Sequence, residues 1–327
     1  MSFFATPRQL RERGILGMNQ RNTDFIMRYN PRRLYPLVDN KLITKKLALK
    51  YDIAVPELYA AVEIERHVRR IEDSLADHSS LVIKPAHGSG GNGILVIDGR
   101  MGKFYRKASG ELIGVETIQH HMSNILSGMY SLGGVPDKAI LEYRVQFDPF
   151  FADIAYQGVP DIRVIVFRGI PVAAMVRLPT RESDGKANLH QGAVGVGIDL
   201  ASGVSNYGVC RDQLLDQHPD TGHCITGIAI PHWDRILRLA TKCASMVGLG
   251  YLGVDLVMDR DLGPLMLELN ARPGLNIQLA NGRGLLDNLM NVQSINDLPE
   301  DVESRIMLAK DLAVKQQPSP AEMRTAI

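Results

Sequence analysis

Cysteine, tryptophan and long apolar runs are all scarce in this chain of 327 residues, and each scarcity excludes something. Cys210, Cys224 and Cys243 are odd in number, widely spaced and without a CxxC pair, so neither a disulfide framework nor a zinc site is indicated. They read as reduced structural thiols. No apolar run approaches the ~20 residues that span a bilayer, and residues 1–14 lack the apolar core of a signal peptide. A cytoplasmic protein is expected. Charge of one sign is missing too: 37 Lys and Arg stand against 36 Asp and Glu, and a net charge of +1 gives no whole-chain attraction to nucleic acid or to a membrane. There is no internal repeat, no Ser-His-Asp or Cys-His constellation, and no HRD or DFG triplet, so a protein kinase is not supported.

What is present is an ordinary globular composition, 45% hydrophobic, enough to fill two or three subdomains. The most informative stretch is 250–275, GYLGVDLVMDRDLGPLMLELNARPGL. Two apolar runs flank Asp259-Arg260-Asp261 and Gly263-Pro264, a strand-turn-strand pattern. Alternation sends Leu265, Leu267 and Leu269 to one face and Met266, Glu268 and Asn270 to the other. A turn centred between Asp261 and Leu262 sets Asp255 opposite Glu268. Two adjacent carboxylates and an amide oxygen in an apolar hairpin call for a cation, and an all-oxygen set favours Mg²⁺ or Mn²⁺. Mg²⁺ normally shares its shell with phosphates, so a nucleotide is expected. The competing reading is a solvated sheet face.

Earlier in the chain, residues 1–40 are rich in arginine, and Pro31 and Pro36 frame an irregular, extended segment, so the region reads as an arm wrapped on the body and not as an independent domain. A helix is expected from Asp39, capped by Asp39 or Asn40, with Lys41, Lys45 and Lys46 near its polar side. A second helix is expected over 64–75 and a strand over 81–84. His87, Gly88, Ser89, Gly90, Gly91 and Gly93 then form a loop whose backbone N–H groups are open to phosphate oxygens. A β-type run, 94–97, follows the glycines, so the loop is a hairpin tip and not a dinucleotide fingerprint. Lys84 enters beside it. His120 and His121, on a helix over 116–130, point to different faces and read as surface residues. A strand over 139–145 leads out of this unit. Its end, Glu142, Tyr143, Arg144 and Val145, is a candidate adenine-holding hinge. Arg163 and Arg177 lie inside apolar strand patterns and need an anion, with Asp161 or Glu182 as structural partners. Asn188 and His190 sit in a polar loop that faces a ligand in this reading. Helix 233–247 precedes the hairpin, one or two short helices are expected beyond Leu285, and 316–327 reads as a frayed tail.

Taken in order, Lys41, Lys84, the glycine loop, Glu142, Asp161-Ile162-Arg163, Arg177, Asn188, Asp255, Glu268, Asn270 and Arg272-Pro273-Gly274 resemble the ATP-grasp superfamily, and within it RimK-like α-L-glutamate ligases and their relatives. The resemblance covers roughly 39–289. It implies an α/β (α+β) fold with two α+β lobes clamping ATP: an N-terminal arm over 1–40, standing for a truncated pre-grasp region, a small lobe over 41–140, a large lobe over 141–290, and a C-terminal helix and tail over 291–327. It implies that Lys41 and Lys84 bind phosphates, that Glu142 and the 143–145 backbone hold adenine, that Asp148 meets ribose, and that Asp255, Glu268 and Asn270 hold the metal. Arg177, Arg163 and Lys84 become the catalytic groups, and Asn188, His190, Arg272 and Gly274 the substrate groups. The implied activity is an ATP-dependent carboxylate–amine ligase working through an acylphosphate on glutamate or a similar amino acid. The acceptor is left open between free amino acid, peptide and protein, as is a homo-oligomer. A nucleotide-binding regulatory module is the alternative.

Overall fold

A computed structural model describes residues 6–88, 90–211 and 213–315, and its contacts divide the chain into two compact units. The smaller comprises residues 36–146, the larger the chain up to Tyr35 together with the chain from Phe147 onward. The expected tail over 316–327 lies outside the described residues.

The smaller unit is a six-stranded antiparallel sheet. Its strands are β1 (Leu58–Val62), β2 (Leu81–Pro85), β3 (Leu95–Met101), β4 (Phe104–Lys107), β5 (Leu112–Ile113) and β6 (Ala139–Glu142), in the order β1-β6-β2-β3-β4-β5. Leu81, Ile83, Leu95 and Ile97 turn one face inward by period-two alternation, against Ile118, Met122 and Ile125 of helix Val115–Leu126. The expected helix over 64–75 is two short ones, Glu65–Val68 and Ile71–Ala76. Helix Lys41–Lys50 starts where Asn40 accepts hydrogen bonds from the N–H groups of Leu42 and Ile43, both at 3.0 Å. Because β6 sits between β1 and β2, the late residue Glu142 becomes a neighbour of Val82 and, diagonally, of Lys84.

The larger unit is a seven-stranded antiparallel sheet of β7 (Asp161–Phe167), β8 (Ile170–Leu178), β9 (Val194–Ile198), β10 (Ser205–Cys210), β11 (Gln213–Leu215), β12 (Tyr251–Asp259) and β13 (Gly263–Asn270), ordered β11-β10-β9-β8-β7-β12-β13. Helix Trp233–Val247 buries Ile236, Ala240, Cys243 and Val247, a 3.6-residue stripe, and ends on Gly248 in the left-handed region. Beyond Leu285 stand helices Leu286–Gln293 and Val302–Lys315.

The arginine-rich start differs from its expected form. It belongs to the larger unit, as an arm on the body would, but it is a chain of helical turns, Pro7–Glu12, Met18–Gln20, the π-helix Arg21–Ile26 and Met27–Tyr29, and the 31–36 segment expected to be extended carries the turn Arg32–Leu34. The cause is the apolar set Leu16, Phe25 and Ile26, which needs a curled backbone to enter the core beside Ile165, Phe167 and Tyr251. Phe25 meets Phe167 edge-on at 5.5 Å.

Candidate functional site

In the smaller unit three charged side chains are buried together: Lys45 and Lys84 at 5% exposure each and Glu142 at 3%. Each Glu142 oxygen meets one ammonium, Oε2 that of Lys45 and Oε1 that of Lys84. Lys45 also donates to the Pro56 carbonyl at 2.5 Å. Burial opposes the charge on Glu142, but the two lysines hold its carboxyl below the ordinary carboxylate value. Lys45 was expected near the polar side of its helix and lies inward. Lysine spacing alone reports no direction when the apolar face is broken, and Glu142 is the partner that draws Lys45 in.

The glycine loop joins β2 to β3, the hairpin tip that the sequence indicates. Gly90, Gly91 and Gly93 all take positive φ. At Gly93 a Cβ would also stand 2.5 Å from the Tyr130 ring, so the position requires glycine twice over. Lys41 Nζ donates to the Gly88 carbonyl at 2.6 Å. His87 is fixed from both sides, by buried Asp137 at 2.7 Å on Nδ1 and by Asn40 at 3.1 Å on Nε2. Ser89 lies outside the described residues. His121 is half-buried, not a surface residue, with Nε2 3.0 Å from the Gly93 carbonyl, and burial lowers its pKa. Tyr143, Arg144 and Val145 follow the end of β6 as half-buried coil, Tyr143 N–H donating to Glu57 at 2.8 Å and the Arg144 carbonyl accepting from Gln146 at 3.0 Å.

In the larger unit, four neighbouring strands carry the other predicted residues. Strand registers set Arg177 of β8 opposite Asp161 of β7, Arg163 of β7 opposite Asp255 of β12, and Asp255 opposite Glu268 of β13. The Asp255–Glu268 pair forms by a different route from the expected one. The turn is centred on Asp261, with Asp259 opposite Gly263, and a bulge that leaves Leu267 unpaired restores the register. That bulge also breaks the alternation, so Met266 is buried and Leu267 half-buried. Gly253 belongs to β12, and a Cβ there would stand 2.7 Å from the Pro273 side chain.

Side-chain bonds tie the face together. Arg163 donates to both Asp255 oxygens, at 2.7 and 2.6 Å. Arg177 donates to both Asp161 oxygens at 2.5 Å and to Asp255 at 3.0 Å. Asn270 Nδ2 donates to Asp255 at 3.1 Å. Burial would raise the Asp255 carboxyl, but Arg163 and Arg177 hold it well below the ordinary range. Burial pushes Asp161 the other way, up to about 6, against the pull of Arg177. Of the two structural partners expected for the arginines, Asp161 meets Arg177, whereas Glu182 pairs with Arg211.

As a donor set for Mg²⁺ or Mn²⁺, Asp255, Glu268 and Asn270 offer oxygen alone, which fits a hard cation. Asn270 points its amide nitrogen at Asp255, so its carbonyl oxygen is the atom it could offer a cation. Among the described residues no three His, Cys, Asp or Glu side chains form a metal cluster, the third donor here being an amide.

The remaining predicted residues are placed apart from these networks. Asp148 caps the turn Pro149–Phe151, accepting from Phe150 N–H at 2.8 Å. Asn188 caps Leu189–Gln191, and His190 is exposed on it. Arg272 is exposed above the Tyr35 ring at 5.2 Å, and Gly274 is exposed beside it. Arg21 Nη1 holds the intervening Pro273 carbonyl at 2.8 Å.

The family model described as sugar-transfer associated ATP-grasp matches residues 20–294. No curated protein matches the chain. Among solved structures the chain is similar to the ATP-grasp ligase PsnB complexed with minimal precursor, at 16% identity and TM-score 0.44 over 80% of this chain and 63% of that one. It is similar to D-cycloserine synthetase DcsG at 15% identity and TM-score 0.46, over 80% of this chain and 71% of that one. For D-alanine–D-alanine ligase from Bacillus anthracis complexed with ATP the values are 13% and 0.42, over 85% and 68%. The chain spans less than two thirds of the length of PsnB.

Proposed function

Because this chain belongs to the sugar-transfer associated ATP-grasp family, we propose that it is an ATP-dependent carboxylate–amine ligase that joins glutamate or a similar amino acid to an amine through an acylphosphate. The observation that carries this reading is the charged face of β8, β7, β12 and β13, where two guanidinium groups meet the carboxylates of Asp161 and Asp255, with Asn270 donating to Asp255 and Glu268 opposite it in register. Buried charge of that density is costly for stability alone and suits a site that must bind a metal and a polyanion.

In this reading the substrate carboxylate attacks the γ-phosphorus in line, ADP leaves, and the amine then attacks the acyl carbon and expels phosphate. Lys41 and Lys84 balance phosphate charge, and the glycine loop supplies N–H donors and excludes water. Arg163 and Arg177 meet the substrate carboxylate and the oxyanion of the tetrahedral intermediate; their aspartate partners keep both guanidinium planes oriented. Asp255, Glu268 and Asn270 would hold Mg²⁺, which neutralises phosphate charge when bound. Arg272, exposed above Tyr35, is offered to an anionic group of the substrate.

The test is ADP release from Mg·ATP with a panel of amino acids and peptides, hydroxylamine serving as surrogate amine. Hydroxamate formed with one carboxylate supports acylphosphate chemistry and names the donor. Glu268→Gln is expected to abolish turnover with the melting curve unchanged, and full activity in that variant would refute the metal assignment. Tight ATP binding with no ADP release across the panel, repeated in cell extract, favours a regulatory nucleotide-binding module.

A further inference from the structure

Two ammonium groups share one carboxylate in the buried triad of the smaller unit, which leaves an excess positive charge in the interior. An uncompensated buried charge is expensive unless an anion joins it. The two lysines are not equivalent. Lys45, on helix Lys41–Lys50, is held by two protein oxygens, those of Glu142 and Pro56. Lys84, on β2 at the root of the glycine loop, is held by Glu142.

We propose that Lys45 is a positioning residue that keeps Glu142 fixed and charge-balanced, so that Lys84 is released to the phosphate of an incoming nucleotide. The inference rests on the nucleotide-binding reading above. Its logic is one of charge counting. With Lys45 present, Lys84 leaves behind a neutral Lys45–Glu142 pair. Without it, Lys84 and Glu142 form a neutral pair of their own, and drawing Lys84 to a phosphate strands a buried carboxylate.

A pH dependence follows. Burial lowers the Lys45 pKa to about 8, against the attraction of Glu142 and with the repulsion of Lys84 adding to it. The groups facing Lys45 are Glu142 from β6, Lys84 from β2 and the Pro56 carbonyl ahead of β1. As Lys45 loses its proton, Glu142 claims Lys84, and phosphate affinity falls as pH rises through that value.

The experiment is calorimetric titration of the full chain with Mg·ATP, for wild type, Lys45→Met and the double variant Lys45→Met with Glu142→Gln, with circular dichroism to check folding. Lys45→Met is expected to bind about tenfold more weakly, the size of one charge-assisted hydrogen bond. The double variant, having no carboxylate to trap Lys84, is expected to recover most of that loss, which a merely structural role for Lys45 does not produce. Wild-type affinity is expected to fall between about pH 7 and about pH 9, bracketing the Lys45 value, while Lys45→Met stays flat. Wild-type affinity in Lys45→Met, or a double variant no better than the single one, overturns the role of Lys45. If Lys45→Met does not fold, a flat wild-type pH profile overturns it instead. A wild-type chain that fails to bind Mg·ATP at all refutes the nucleotide reading, a separate outcome.

Discussion

At the scale of single residues, a buried polar side chain can tie separate stretches of backbone together, and Asn30 does so. Asn30 is 2% exposed and makes three hydrogen bonds to backbone, donating to the Tyr251 and Ala271 carbonyls at 2.7 and 3.1 Å and accepting from Tyr251 N–H at 2.9 Å. It thereby ties the N-terminal turns to the first residue of β12 and to the loop after β13. Asn30→Ala removes all three bonds and leaves the paired groups buried. A loss of about 2–3 kcal/mol in unfolding free energy is expected, measured by urea titration. A loss within experimental error would mean that the N-terminal turns are not held by this residue. Nothing in the sequence marks Asn30, because an asparagine between Tyr29 and Pro31 also reads as a turn residue. Asp255 and Glu268 were easier to single out, since carboxylates inside an apolar hairpin violate its pattern.

At the scale of elements, legibility follows the length and regularity of the pattern. Helix Trp233–Val247 and the hairpin of β12 and β13 carry long periodic signals and are readable from the sequence alone. The N-terminal turns carry three core residues spread over eleven positions, Leu16 to Ile26, with no single period, and their helical form comes from tertiary packing. The Leu267 bulge is invisible for a similar reason: it depends on where the turn settles, and moving the turn by half a residue changes the register without changing the composition. The loop after β11 is held by another contact that no pattern announces. His218 is 1% exposed, its Nε2–H donating to the Pro179 carbonyl at 2.9 Å while Nδ1 accepts from Asp220 and Thr221 N–H at 3.3 and 3.4 Å. Both nitrogens are used by the neutral ring, and burial lowers its pKa. The native state therefore binds fewer protons here than the unfolded chain. Its contribution to stability is complete above the unfolded histidine value of ~6.5 and is lost as pH falls below it through the lowered native value. Thermal unfolding should show a drop on acidification that is smaller in His218→Gln; equal drops in the two proteins would remove His218 as the cause.

At the scale of the whole molecule, a net charge of +1 conceals different local balances. The lysine–glutamate triad has one positive charge in excess, whereas on the sheet face Arg163 and Arg177 are matched by Asp161 and Asp255, with Glu268 opposite Asp255 in register. A polyanion suits the first, and the oxygen donors proposed for the metal lie on the second, so nucleotide and metal should stabilise the native state together more than either does alone. Ligand that binds only the native state adds RT ln(1 + [L]/Kd), about 2.7 kcal/mol at a hundredfold excess over Kd. Thermal melts with ATP and Mg²⁺ should therefore shift upward with ligand concentration, and a chelator should reverse most of the shift. Glu268→Gln should retain the shift given by ATP alone but lose the increment from Mg²⁺, because the glycine loop and lysines are untouched while one carboxylate of the proposed metal set is gone. An undiminished Mg²⁺ increment in that variant would move the metal away from the β12–β13 hairpin, and an unchanged melt under every combination would refute nucleotide binding by the native chain.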